Sequence, residues 1–226
     1  MVDLIAKEHY DETDPQGMAE LIQARLFSYT DTIDGWARAV SGTMLKRAAK
    51  ADYQVWRKVG QALSAEMKRR LKEEGAGSTF SKLQLEQVEL IKSIPRTAAE
   101  RVHDWAQQGM TEGLRPADIA QKIRDQIGGV TESHATLIAR TETARARTSF
   151  TQARAKAVGS TGYIWHAVHD SATRGRHREL DGTVQRWDAP PITDYGKGGV
   201  PIRSAPGCVW NCRCWASPIL PEEFDG

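Results

Sequence analysis

Apolar side chains recur at spacings of three and four through the first half of the chain, the period of a helix with one buried face. Asp14 followed by Pro15 predicts a helix start, because proline at the first helical position gives up only an amide that would be unpaired there. Met18, Leu21, Ile22 and Leu26 then form a short stripe. A stronger one runs through Trp36, Val40, Met44, Ala48, Ala51, Val55, Val59, Leu63, Met67 and Leu71. It predicts one helix of about 40 residues, roughly 60 Å long at 1.5 Å per residue, ended by Gly75 and Gly77. A third segment starts at Ser78 or Thr79 and carries Leu83, Leu85, Val88, Ile91 and Ile94, then Ala98, Val102, Trp105 and Ala106. Pro95 lies inside it and predicts a kink or a break, since proline removes one ladder bond and crowds the preceding turn. Two long helices joined around Gly75 to Gly77 make an antiparallel hairpin. It reads either as a bundle core or as an arm that holds partners.

The period then shortens. A helix is expected over residues 116–127, with Ile119, Ile123 and Ile127 on one face and Gly128-Gly129 as its stop, and another over 131–158. Beyond Gly159 and Gly162, YIWHAVH, TVQRW and CRCWAS read as short strands, with a turn at Asp181-Gly182. DAPPITDYGKGG and PIRSAPG read as loops. The expected fold class is α+β: a long-helix arm or bundle over residues 1–110, then a helix-capped antiparallel β module over 111–226.

Charge changes this picture little. The net charge is +2, with 19 basic and 19 acidic side chains in residues 1–129 and 12 against 10 in the remainder, so no basic tail marks a bulk nucleic-acid binder. The N-terminal residues are too charged for a secretory leader, and no apolar run reaches the roughly 18 residues of a membrane span. The chain reads as soluble and made in the cytoplasm. There, three cysteines within seven residues suggest buried thiols or a metal before a disulfide.

Cys208, Cys212 and Cys214 supply three sulfurs, and His177 is the best fourth ligand for one structural zinc ion. The same cysteines also read as reduced thiols packing a small core. Asp170, Arg174, His177 and Asp181 bring acid, base and a fixed cation into twelve residues. That set reads as a buried polar network that fixes a loop, or as general acid–base machinery acting on a phosphodiester. Arg174, Arg176 and Arg178 concentrate positive charge that suits DNA phosphates without reading sequence. In ARTETARARTSF, three threonines interrupt the apolar stripe among arginines, which suits a solvated helix or a contact face. Trp165, Trp187, Trp210 and Trp215 are expected to fill the core of the small module.

The run DSATRGRHRELDG followed by PGCVWNCRCWASP resembles the C-terminal signature of the phage Mu protein F-like head-morphogenesis family. The pairing of GLRPADIA with ARTETARA resembles it too, so the likeness covers roughly residues 110–218. Its motif positions here are Asp170, Arg174, His177, Asp181, Gly182 and Asn211. The resemblance implies a minor capsid protein that works with the portal protein and other capsid subunits in head morphogenesis. It implies a place inside the virion head near the portal, a role in DNA packaging or delivery through non-specific contact with double-stranded DNA, and no catalysis. The competing expectation is a small nuclease or nucleotide-modifying toxin-like enzyme using His177, Arg174 and Asp170.

Overall fold

The computed structural model describes residues 1–59, 64–73 and 77–221. The chain is α+β, with long helices followed by a small antiparallel β module. The helices are α1 (Val2–Glu8), α2 (Pro15–Thr32), α3 (Asp34–Val59), α4 (Ala65–Glu73), α5 (Gly77–Thr111) and α6 (Pro116–Ala157). Strand β1 (Gly162–His166), helix α7 (Gly175–Glu179), and strands β2 (Val184–Arg186), β3 (Ile192–Tyr195), β4 (Pro201–Arg203) and β5 (Trp215–Ile219) follow.

By its contacts the chain forms two units, Met1–Ser41 with Glu86–Ile138, and Gly42–Leu85 with Ala139–Gly226. In the first, Asp14 caps α2 by accepting the Gly17 amide at 2.9 Å. The core gathers Ile5 and Ala6 of α1, Ile22 and Leu26 of α2, Ala99 and Val102 of α5, and Ile119, Ile123 and Ile127 of α6. Helix α1 was not legible, because its seven residues are too few to show a period.

Three expectations are corrected here. The helix over 116–127 does not stop at Gly128-Gly129; α6 runs unbroken to Ala157. Gly128 serves close approach instead, since a Cβ on it would stand 2.6 Å from the Asp3 carboxylate. Helix α5 also continues through Pro95, so of the expected kink or break the break does not form; buried residues lie on both sides, Val88 and Ile91 before it and Ala98, Ala99 and Val102 after it. In α3 the buried face is Ala37, Ser41, Leu45, Ala48, Asp52 and Trp56, one residue out of phase with the apolar stripe, and Trp36, Val40 and Val55 are exposed. The expected continuation through Leu63 and the junction at Gly75 lie outside the described residues.

Two polar members of that face explain the phase error. Asp52 forms a buried ion pair with Arg154 of α6 and accepts the Thr151 hydroxyl at 2.6 Å. An aspartate and a serine on a buried face hide it from any hydrophobic count.

In the second unit, Leu45 and Ala48 of α3 pack with Leu83, Ala146 and Phe150. Trp56, Ala155 and Val158 pack with Tyr163, Trp165 and Trp187 over the sheet. The sheet order is β2-β1-β5, all antiparallel, with Tyr163 opposite both Gln185 and Pro218. Trp165 exchanges hydrogen bonds with the β2 side, donating to Thr183 at 3.0 Å and accepting from Gly182 at 2.9 Å. Alternation then turns Gly162, Ile164 and His166 toward β5, and sends the backbone groups of Ala216 and Pro218 to the outer edge. Proline fits that edge because it has no N–H to leave unpaired.

The segments read as loops hold a second, two-stranded sheet. Ile192 pairs with Arg203 and Tyr195 with Pro201, with an irregularity between Ile192 and Asp194. The four tryptophans also divide: Trp165 and Trp187 are core, whereas Trp210 and Trp215 are about half exposed, at 48% and 50%. Trp215 instead stacks on His166, ring centroids 5.1 Å apart.

Candidate metal centre in the cysteine–histidine module

The site is assembled on α6. Thr148 donates its hydroxyl to the Pro206 carbonyl at 2.6 Å, and Thr141 accepts the Asn211 amide at 3.0 Å. These threonines are seven residues apart, which puts them on the same face of a helix two turns apart. They pin both ends of the Pro206–Asn211 loop. Within the loop Gly207 adopts φ +81°, and a Cβ there would sit 3.2 Å from the Ala144 and Cys214 carbonyls and from the Thr148 hydroxyl. Asn211 takes φ 59°, a left-handed turn that asparagine tolerates. That turn delivers Cys212 and Cys214 inward just ahead of β5, so neither lies within a strand.

Opposite them, the short helix α7 presents His177. The imidazole is 2% exposed, and its Nδ1 stands 3.5 Å from the sulfur of Cys212 and 3.5 Å from that of Cys214. Its ring meets Trp165 edge-on at 5.4 Å. Nε2 is buried without a hydrogen-bond partner among the described residues, so the only polar partners of the ring are sulfurs. The Gly207 amide donates to Cys212 Sγ at 3.3 Å.

All three thiols are free. A hydrogen bond from the Cys214 thiol holds Cys212 well below the ordinary thiol value, and the His177 ring adds to this; the same bond and burial push Cys214 up.

Of the four residues read as a ligand set, the structure brings His177, Cys212 and Cys214 together, with donor atoms all within 4.8 Å of one another. Cys208 stands apart. Its amide donates to Ala205 at 3.3 Å and its sulfur faces the Pro206 carbonyl at 3.8 Å, and burial raises its thiol to about 12. The trio fits a tetrahedral thiophilic ion. Zinc–sulfur bonds of about 2.3 Å and a zinc–nitrogen bond of about 2.0–2.1 Å place nitrogen and sulfur roughly 3.5 Å apart.

The remaining motif residues brace the loops around the trio. Asp170 accepts from the Thr173 hydroxyl at 3.0 Å and the Ala172 amide at 3.1 Å and pairs with Arg213; with Thr173 first, these hold its carboxyl below the usual range. Asp181 accepts the Ala167 amide at 2.8 Å and meets His169 at 2.7 Å. Arg174 donates to the Trp210 carbonyl at 2.9 Å and pairs with Asp194 at 3.2 Å. Arg176 reaches the Ile192 carbonyl at 3.2 Å, and Arg178 the Asp170 carbonyl at 3.1 Å. The three guanidiniums thus tie α7 to three different segments. His177, Arg174 and Asp170 each have their own hydrogen-bond partners.

The cysteine–histidine module is thus built on a long helix and stitched by arginines. The chain belongs to the Phage Mu protein F-like family, whose pattern it matches over residues 100–217, from the end of α5 through β5. It is 34% identical over 137 residues to an uncharacterized protein of Haemophilus influenzae (60% of this chain, 28% of that protein). It is 30% identical over 151 residues to minor head protein GP7 of Bacillus phage SPP1 (63% of this chain, 45% of that protein). This chain therefore spans less than half the length of either relative. No solved structure matches it. Among the described residues, no helix is long and apolar enough to cross a membrane.

Proposed function

We propose that this protein is a minor head protein of a tailed phage. In this reading it joins the head during morphogenesis at the portal vertex, contacts the portal protein and other capsid subunits, and contributes to DNA packaging or delivery. The observation that carries it is the coincidence of the family match with the whole cysteine–histidine module, together with a phage relative named as a minor head protein. Residues 1–110, read as the arm, offer exposed helix faces bearing Leu21, Phe27, Trp36 and Val40 for those partners. Arg176 and Arg178, both exposed, and the half-buried Arg174 are the proposed contacts for packaged DNA.

The module's part is mechanical. One zinc ion held by His177, Cys212 and Cys214 joins α7 to the loop pinned on α6, and so fixes the outer surfaces in one geometry. Burial of the trio supports this over turnover, because a reacting group would need access.

Deletion of the gene, followed by imaging of the particles, tests the assignment. The expected result is heads lacking density at the portal vertex, with lowered DNA content or infectivity. Full heads of normal infectivity would overturn it.

A further inference from the structure

We infer that the metal centre has three protein donors and that its fourth position is held by one water, not by Cys208. This rests on the metal reading above and goes beyond it. A tetrahedral ion needs four donors, and the described residues bring together only His177, Cys212 and Cys214. Cys208 is turned away by its own turn, in which its sulfur faces the Pro206 carbonyl just behind it. Bringing that sulfur to the trio would mean re-forming a loop held at Thr141, Thr148 and Gly207.

Beside the trio lies a small pocket with about 10 Å³ of room, lined by His177, Cys212 and Cys214 and also by Thr173, Arg174 and Asn211. A space of this size is at the limit for one water molecule, and its walls carry the polar groups a trapped water needs. Thr173, Arg174 and Asn211 also brace the module, so the water would link the ion to the arginine-stitched loops. The space at the fourth position fits a water or hydroxide ligand.

The test uses the full chain loaded with cobalt(II) alone, X-ray absorption to count sulfurs, and hyperfine spectroscopy in water enriched in oxygen-17. We expect one metal per chain, a shell of two sulfurs and two nitrogen or oxygen atoms, and an oxygen-17 coupling. Cys208→Ser should bind cobalt within about twofold of the parent with the same spectrum, whereas Cys212→Ser and Cys214→Ser should each weaken binding by about 100-fold or more. A three-sulfur shell, or the absence of oxygen-17 coupling, overturns the inference while leaving the metal reading intact. Failure of the parent chain to take up either cobalt or zinc removes both. The absorption measurement on the parent chain decides the question even where a variant does not fold.

Discussion

Thr148 and Pro206 are 58 residues apart in sequence, yet the threonine hydroxyl donates to the proline carbonyl at 2.6 Å in a buried setting. The bond ties the cysteine loop to α6. Thr148→Val keeps the shape and leaves the Pro206 carbonyl unpaired, so unfolding in urea should show a loss of about 1–3 kcal/mol. A loss below about 0.5 kcal/mol would show that the loop is held in some other way.

Gly207 makes a sharper test of the same junction. Alanine there meets three oxygens at 3.2 Å and must adopt φ +81°. The expected cost is roughly 1–3 kcal/mol from the backbone conformation alone, with additional crowding, and weaker cobalt binding should accompany it. Gly175→Ala, where a Cβ would meet nothing within 4 Å, is the control and should be close to neutral in thermal unfolding.

The Asp52–Arg154 pair joins α3 to α6 in the second unit with both side chains largely buried. Arg154→Met strands a buried carboxylate and should cost about 3–5 kcal/mol. Pairing it with Asp52→Leu should recover most of that loss, because the desolvation cost of both charges disappears together. A double variant as unstable as the single one would contradict this account.

Acid should loosen the turn between α7 and β2. The Ala167 amide, and then His169, hold the Asp181 carboxyl below its ordinary value of 3.8. A lowered folded value means that the stabilisation is fully present above the unfolded value and is lost as pH falls below about 3.8 through the folded one. Denaturation midpoints between about pH 6 and pH 2 should therefore fall more steeply for the parent than for Asp181→Asn, which keeps an oxygen for Ala167 but cannot titrate. Identical acid limbs would reject the assignment.

What the sequence disclosed follows from which physical signals are periodic. Long apolar stripes announced the helices and the α+β class, and Asp14-Pro15 marked the start of α2. The pattern misled where a polar group is buried in a pair, as at Asp52, and where a glycine serves packing rather than termination, as at Gly128. Strands β3 and β4 were hidden by Pro201 and by the irregularity at Ile192 to Asp194, which break the alternation. At the site, residue types suggested the chemistry of His177, Cys212 and Cys214. That Cys208 stands outside the trio depends on the direction of a turn, which composition does not encode. Thr141 and Thr148 looked like interruptions of a stripe, and their spacing of two helical turns was the signal that they share a task.

Pro218 has a consequence for life at high local concentration. A strand on the rim of a sheet offers its spare donors and acceptors to any neighbour, and identical neighbours are the most complementary. With Pro218 facing outward, the interior of the β5 rim keeps the Ala216 N–H as its one donor. Pairing of another strand along that rim is therefore disfavoured.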